Sequence, residues 1–231
     1  MASPFQDPFF QLVADAVHEF PFELAKAALV VIDMQYLDAH PSGWMGRLAR
    51  EQGKEELLRY RFEAIARTVP NIQRLQATCR SAGIEVVHVR VAFLTNDGRD
   101  GVPALTSRGT KTPYYGREAE ILEELRPEGD EIVVNKTSSG AFNSSNLDQI
   151  LRNLGIDHLL ITGIVTNGCV ELTARDAADR GYWVTLVSDG CSASTPELHA
   201  NALERMTDGG IIAAKTTEEV LTMISRAAGG R

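Results

Sequence analysis

The sequence predicts an α/β protein: a six-stranded parallel sheet covered by helices on both faces. Six short apolar runs rich in β-branched residues recur along the chain, at 28–32, 85–91, 131–134, 158–162, 183–187 and 211–214. Such runs are typical of parallel strands that are buried on both faces. Between them lie stretches with helical spacing of apolar residues, at 55–82, 118–125, 144–154, 170–180, 196–206 and 217–227. Strands that alternate with helices in this way predict one sheet between two helical layers.

Glycine and proline suggest where these elements end. Gly83, Gly155 and Gly181 each precede a predicted strand, where the carboxyl-terminal cap of a helix belongs. Pro70 is expected to kink or restart the first long helix, because it has no N–H and its ring clashes with the preceding turn. The most irregular stretch, 93–116, is a candidate lid over a site.

Composition excludes several classes of function. The 231 residues suit one domain with an added arm. With 23 Lys and Arg against 31 Asp and Glu, the net charge of −8 opposes binding to nucleic acid. Membrane association is not expected, because no apolar run reaches the length of about 18 residues that spans a bilayer and the amino terminus lacks the basic region of a signal peptide. The three cysteines show no zinc spacing and cannot all pair, which favours a reducing, cytoplasmic location.

An acid, a base and a thiol follow three of the predicted strands. Asp33 follows the first strand, Lys136 the third, and the turn 164–168 leads from the fourth to Cys169. Ligands of open α/β sheets bind at the carboxyl ends of the strands, so these side chains are candidates for one site. Asp33 alone could be a helix cap and Lys136 alone a solvated charge. Together with Cys169 they supply a proton acceptor, a cation and a nucleophile.

Cys169 is the strongest single candidate. It follows a glycine-containing turn and opens a predicted helix, so free backbone N–H groups and the helix dipole are expected to stabilise its thiolate. Cys79, within a helix, and Cys191, after the fifth strand, are expected to be buried apolar residues instead.

Three segments carry a family resemblance: ALVVIDMQ at 28–35, NKTSSGAFNSSNLDQILRNLGI at 135–156 and LLITGIVTNGCVELTARDAADRGYWVTLVSDGCSA at 159–193. The chain resembles the isochorismatase-like cysteine hydrolase family over about 27–214, with 40–61 departing from it. The resemblance implies a Rossmann-like three-layer sandwich, and it divides the chain into an aromatic-rich arm, 1–26, and a hydrolase domain, 27–231. The arm is expected to pack on its own domain or on a neighbouring subunit.

The resemblance also implies site roles. Asp33, Lys136 and Cys169 would form the catalytic triad, and Val165 would follow a non-proline cis peptide bond after Ile164. The backbone N–H groups of Val165 and Cys169 would form an oxyanion hole. Amide hydrolysis through a thioester on Cys169 needs no cofactor.

No metal site is predicted. Nicotinamidases of this family bind a divalent ion through an Asp-x-His pair and a further His. Asp38 and His40 have the first spacing, but 88–92 lacks the second half of the pattern. His88 is expected to be a core residue, whereas His158 and His199 are expected at the surface. The residues predicted to contact substrate are Gln35, Arg90, Phe142, Asn143 and Thr166.

The predicted function is hydrolysis of the C–N bond of a small polar amide, with release of ammonia. Polar residues around the expected site favour a ureido or carbamoyl compound, such as biuret, triuret, ureidoacrylate or a carbamoyl amino acid: Asn135, Thr137, Ser138, Ser139, Asn143, Thr166 and Asn167. Alternatives are a nicotinamidase or other small-amide hydrolase, and an isochorismatase-type vinyl-ether hydrolase that uses the Asp and Lys without the thiol. A non-catalytic interaction protein is the remaining alternative. We expect a homo-oligomer, dimer or tetramer.

Overall fold

A computed structural model describes residues 7–12 and 19–229. Its strands are β1 Ala27–Ile32, β2 Glu85–Val91, β3 Ile132–Lys136, β4 His158–Ile164, β5 Trp183–Ser192 and β6 Ile212–Lys215. They form one six-stranded sheet in the order β3-β2-β1-β4-β5-β6, and every neighbouring pair is parallel. The predicted six-stranded parallel sheet is therefore confirmed.

Helices cover both faces of this sheet. They are α1 Pro8–Leu12, α2 Trp44–Glu51, α3 Arg59–Ala82, α4 Pro103–Thr106, α5 Leu147–Asn153, α6 Glu171–Asp179, α7 Pro196–Thr207 and α8 Thr217–Gly229. The central strand β1 is buried on both sides. Its residues Ala28, Val30 and Ile32 join a core with α5, α6 and α7. Leu29 and Val31, which point the other way, join a core with α3 and α8.

One predicted helix is absent, and the restart expected as one possibility at Pro70 does not occur. The stretch 118–125 is not one helix but two short 3₁₀ turns, because Ile121 between them pairs with the backbone of Gln35. The long helix α3 does not restart at Pro70 but continues through it. Pro70 faces solvent, while Ile65 and Ile72 on either side of it are buried in the core. Packing on both sides of Pro70 therefore holds the helix together despite the missing hydrogen bond.

The helix predicted over 144–154 begins later, at Leu147. The hydroxyl groups just before it bond to the preceding loop: Ser144 Oγ donates to the Gly140 carbonyl oxygen at 2.8 Å, and Ser145 Oγ donates to that of Ala141 at 2.8 Å. Ser144 therefore does not cap this helix. Ser145 Oγ is the group that accepts from the Leu147 N–H, at 3.1 Å.

A glycine sets the spacing of β1 and β4 where the two strands end. Gly163 has a φ of 114°, a conformation that side chains strongly disfavour. A Cβ built at this position would lie 2.0 Å from the carbonyl oxygen of Ile32. Because Ile32 directly precedes Asp33, Gly163 allows the two strands to approach each other beside that carboxylate.

The described part of the amino-terminal arm packs on its own domain. The rings of Phe20 and Trp183 lie 5.0 Å apart, as do those of Phe22 and His158. The ring nitrogens of His158 contact the carbonyl oxygen of Pro21 at 2.8 Å and the hydroxyl of Thr185 at 2.9 Å. The prediction that His158 lies at the surface is therefore wrong. Among the described residues, no helix is long and apolar enough to span a membrane.

Candidate active site

Asp33, Lys136 and Cys169 meet at the carboxyl edge of the sheet, the edge at which the parallel strands end. The Lys136 ammonium lies 2.9 Å from Asp33 Oδ2 and 3.5 Å from Cys169 Sγ, and it donates to the carbonyl oxygen of Ser138 at 3.0 Å. Lys136 ends β3, and β2 separates this strand from β1. The Lys136 residue pairs with Val91, the last residue of β2. Its fully buried side chain therefore extends past the end of β2 to contact the other two groups.

The backbone at Asp33 is unusual. Its φ of 55° makes it the one non-glycine residue with positive φ among residues 7–12 and 19–229. This region is sparsely populated except by glycine, asparagine and aspartate, and residues held in it cluster at functional sites. The Asp33 N–H still donates to the carbonyl oxygen of Val89 at 2.8 Å. The carboxylate is buried, and its Oδ1 has no hydrogen-bond partner within the described structure.

Cys169 lies in a π-helical turn, Thr166–Val170, that connects β4 to α6. The turn is irregular at Gly168, and α6 itself begins at Glu171. Burial raises the pKa of the Cys169 thiol to about 12; the Asp33 carboxylate also raises it, and Lys136 opposes the shift. The direction of this shift opposes the expected stabilisation of a thiolate. A base such as Asp33 would then be needed to activate the thiol.

Lys136 keeps its charge in the buried cluster. Burial by itself lowers the pKa of the ammonium, but the Asp33 carboxylate and Cys169 outweigh that effect and raise it. The cluster therefore holds a cation between an acid and a thiol. The Ile164–Val165 peptide bond, which precedes the turn that carries Cys169, is cis, as the family resemblance implies.

Gln35 and Arg90, two of the predicted substrate contacts, brace the backbone around the site. The Gln35 side-chain nitrogen donates to the carbonyl oxygens of Val91 and Glu118, both at 2.9 Å, and its oxygen accepts from the Val91 N–H at 2.7 Å. Arg90 donates to Asn135 Oδ1 at 2.8 Å and to the carbonyl oxygens of Ala119 at 2.8 Å and Tyr114 at 3.1 Å. Because their donors are engaged, both side chains support the ends of β1 and β2.

The other three predicted substrate contacts differ in position. Phe142 is a core residue whose ring lies 5.7 Å from that of Tyr182. Asn143 is exposed and accepts from Ser138 Oγ at 3.2 Å. Thr166 is buried in the turn that carries Cys169, and its hydroxyl contacts His199 Nδ1 at 2.8 Å. His199 is half-buried, not a surface residue as predicted. His88 is buried as expected, 3.3 Å from Glu131.

Sequence reasoning missed a second cluster at the same edge, formed by Arg61, Asp38 and Ser194. Arg61, in α3, is buried. Its guanidinium donates to Asp38 Oδ2 at 2.7 Å, to the Asp38 carbonyl oxygen at 3.1 Å and to Ser194 Oγ at 3.1 Å. Arginine in an amphipathic helix usually lies on the solvated face, so nothing in the sequence marks this residue.

The residues present do not fit the metal site known from nicotinamidases of the family. The Asp38 carboxylate already binds a guanidinium cation, and His40 Nδ1 contacts Ser42 Oγ at 2.7 Å. No group of three or more His, Cys, Asp and Glu side chains that could hold a metal ion occurs in the described parts of the chain.

Comparison with known proteins agrees with this fold. The Isochorismatase domain model matches residues 27–218. The chain belongs to the isochorismatase family. It is 30% identical over 193 residues to the ureidoacrylate amidohydrolase RutB of Caulobacter segnis, with 77% of each chain covered.

Solved structures of the isochorismatase family show the same architecture. A cysteine hydrolase from Pseudomonas syringae pv. phaseolicola superposes with a TM-score of 0.76 at 23% identity, covering 98% of this chain and 100% of that one. An N-carbamoylsarcosine amidase from Thermoplasma acidophilum superposes with a TM-score of 0.65 at 26% identity, covering 84% of this chain and 97% of that one. The Rossmann-like three-layer sandwich is therefore confirmed.

Proposed function

We propose that the protein is a cysteine-dependent amidohydrolase that cleaves the C–N bond of a small ureido or carbamoyl compound and releases ammonia. One observation carries this proposal: a single buried ammonium contacts both a carboxylate and a thiol at the carboxyl edge of the sheet. Two of the relatives described above are named for hydrolysis of ureides, which supports amide C–N bonds as the target. A vinyl-ether hydrolase would leave the thiol of Cys169 without a role.

The first half of the reaction forms a thioester. Asp33 takes the proton from Cys169 as the sulfur attacks the amide carbon, since a thiol with a pKa of about 12 is otherwise a weak nucleophile. Lys136 stays positively charged and holds the carboxylate in place. The backbone N–H groups of Val165 and Cys169 donate to the oxyanion that forms; one such donor typically contributes about 10²- to 10³-fold in rate. The C–N bond then breaks, and the protonated Asp33 gives its proton to the leaving ammonia.

The second half releases the acid. Asp33 removes a proton from water as the water oxygen attacks the thioester carbon. The tetrahedral intermediate again places its negative oxygen at the N–H groups of Val165 and Cys169. The C–S bond breaks, the acid or carbamate leaves, and the Cys169 sulfur recovers its proton from Asp33.

Unsatisfied acceptors at the site support an amide substrate rich in N–H groups. Asp33 Oδ1 and Asn167 Oδ1 are buried without hydrogen-bond partners among the described residues. A buried acceptor left unpaired costs about 1–3 kcal/mol, which a ligand that donates hydrogen bonds can recover. Several other polar side chains that the sequence placed around the expected site form hydrogen bonds with protein groups, including Asn135, Ser138 and Thr166.

We expect ureidoacrylate, biuret or triuret to be hydrolysed with a higher kcat/KM than nicotinamide, by tenfold or more. Buried polar groups discriminate strongly against an analogue that leaves them unpaired. Ammonia release measured for the four amides side by side tests this preference. If nicotinamide is the best substrate by tenfold, the ureide assignment is wrong. Ammonia from none of these amides, nor from carbamoylsarcosine or maleamate, would contradict the amidohydrolase itself.

We expect activity to survive chelation. The one Asp-x-His pair is engaged by Arg61 and Ser42, so the triad is expected to work without a metal ion. Prolonged treatment with EDTA, followed by removal of the chelator, should leave kcat unchanged. A loss of activity that zinc or iron restores would contradict this expectation.

Assembly, domain organisation and location extend the same proposal. We infer a homo-oligomer, dimer or tetramer, whose arm, 1–26, precedes the hydrolase domain, 27–231, and a cytoplasmic enzyme that acts on a small-molecule substrate. The exposed aromatic pair Tyr114 and Tyr115 offers a surface that a neighbouring subunit could cover.

A further inference from the structure

The turn that carries Cys169 has an irregular backbone. The Val170 N–H donates to the carbonyl oxygen of Val165 at 3.3 Å, and the Glu171 N–H donates to that of Thr166, so both bonds span five residues. Turns with this spacing are rare and occur frequently at functional sites. Gly168 inside the turn lies outside the helical region, with φ of −140° and ψ of −108°. The backbone of the turn is therefore not an extension of a regular helix.

A side chain from another helix holds this turn. Thr166, at its first position, is fully buried, and its hydroxyl lies 2.8 Å from Nδ1 of His199. Apart from the contacts within the triad, this is the one side-chain hydrogen bond that joins the turn 166–170 to another element within residues 7–12 and 19–229. The position of the turn therefore depends on where His199 lies.

His199 lies on a firmly placed helix, α7. The side chain of Thr195 caps this helix, accepting from the Leu198 N–H at 3.2 Å. Ala202 and Met206, which follow His199 at helical spacing on the same face, are buried in the core. Burial lowers the pKa of His199, so the ring is neutral near pH 7 and its Nδ1 can pair with a hydroxyl as donor or as acceptor.

We propose that His199 is a positioning residue: its hydrogen bond to Thr166 holds the turn so that the Cys169 sulfur and the backbone N–H groups of Val165 and Cys169 keep their places. Thr166 directly follows Val165 in the chain, so a shift of Thr166 moves the neighbouring N–H group as well. This role rests on the proposed function and extends it to α7. Displaced reacting groups and oxyanion donors slow the chemical steps more than they weaken substrate binding.

Two substitutions of His199 separate the hydrogen bond from packing. His199→Leu fills the site without a polar atom, whereas His199→Asn places a side-chain amide near the position of Nδ1. For whichever of ureidoacrylate, biuret and triuret is hydrolysed fastest, His199→Leu should lower kcat by about 10- to 100-fold and change KM by less than about threefold. His199→Asn should retain most of the kcat. Leucine is the better helix former, so a purely structural role of His199 predicts the opposite order.

Variants of two other residues complete the test. Thr166→Val removes the hydroxyl and should reproduce the loss in kcat, whereas Thr166→Ser should not; this pair decides the question if His199→Leu does not fold. The double variant His199→Leu with Thr166→Val should be little worse than either single variant, since both remove the same bond. Ala200→Asn, at an exposed position of α7, is the matched control for asparagine in this helix and should leave kcat unchanged.

Hydrogen exchange gives a readout that needs no substrate. Mass spectrometry of a peptide that covers 164–171 should show faster amide exchange in His199→Leu than in His199→Asn. If the leucine variant matches the asparagine variant in kcat, or if the loss falls on KM, the role of His199 is overturned and the amidohydrolase stands. If the unmodified enzyme hydrolyses no amide, the proposed function is wrong, and unchanged exchange would overturn the anchoring of the turn as well.

Discussion

Replacing Cys169 with serine should lower kcat/KM by about 10⁴-fold or more while the protein still folds. A serine hydroxyl is far less acidic than a thiol, so the single carboxylate of Asp33 cannot activate it to the same degree. Loss of a nucleophile that acts as one unit with its partners removes most of the catalytic effect. Steady-state ammonia release and circular dichroism of the two proteins measure the change in activity and the retention of the fold.

Cys79→Ala is the matched control, because Cys79 is buried in α3 away from the site and its loss should leave activity per folded molecule unchanged. Alkylation gives an independent readout. Iodoacetamide should modify the half-buried Cys169 before the buried Cys79 and Cys191. Because the pKa of the Cys169 thiol is about 12, the rate of modification should keep rising with pH between 7 and 10, in proportion to the thiolate fraction. A serine variant with near-native turnover would contradict the thioester mechanism.

Lys136→Met should abolish activity and also destabilise the protein. The variant leaves the Asp33 carboxylate buried without its cation, and breaking a buried ion pair in this way costs about 3–5 kcal/mol in the free energy of unfolding. We expect kcat to fall by about 10³-fold or more, since the proton acceptor loses the cation that holds it. Urea denaturation and ammonia release give the two quantities separately.

The double variant Asp33→Asn with Lys136→Met makes this prediction specific. Asparagine tolerates the φ of 55° and carries no charge, so the double variant should recover most of the lost stability but none of the activity. A control is the ion pair between Arg80 on α3 and Glu131, which lies just before β3, at 2.7 Å. Replacing Glu131 with glutamine breaks that pair and should leave activity nearly unchanged. Equal instability of the single and double variants would show that the buried charge is not the cause.

The sequence predicted the sheet because buried parallel strands leave a strong local signal. Every run proposed as a strand overlaps one, although Glu131 and Ile211 lie outside β3 and β6, and β5 extends to Ser192 and β3 to Lys136. Gly83, Gly155 and Gly181 all have positive φ, as expected of residues that end helices. The convergence of Asp33, Lys136 and Cys169 was also predictable, since parallel strands end at a common edge.

The errors arise where tertiary contacts outweigh local pattern. The β-bridge between Gln35 and Ile121 replaces a predicted helix with two short turns. Packing around Pro70 keeps α3 continuous. The elevated pKa of the Cys169 thiol depends on burial and on Asp33, which no spacing reveals. Arg61 was missed because its partners are distant in the chain, at Asp38 and Ser194.

The glycine between β1 and β4 limits how the specificity of this enzyme can diverge. At Gly163 any side chain would collide with the main chain of Ile32, so β4 cannot contribute a side chain there to a new substrate pocket. New specificities must instead arise on segments such as 38–44 and 193–195, which follow β1 and β5 outside the strands of the sheet. The cluster of Asp33, Lys136 and Cys169 and the segments that can change around it thus belong to different parts of the chain.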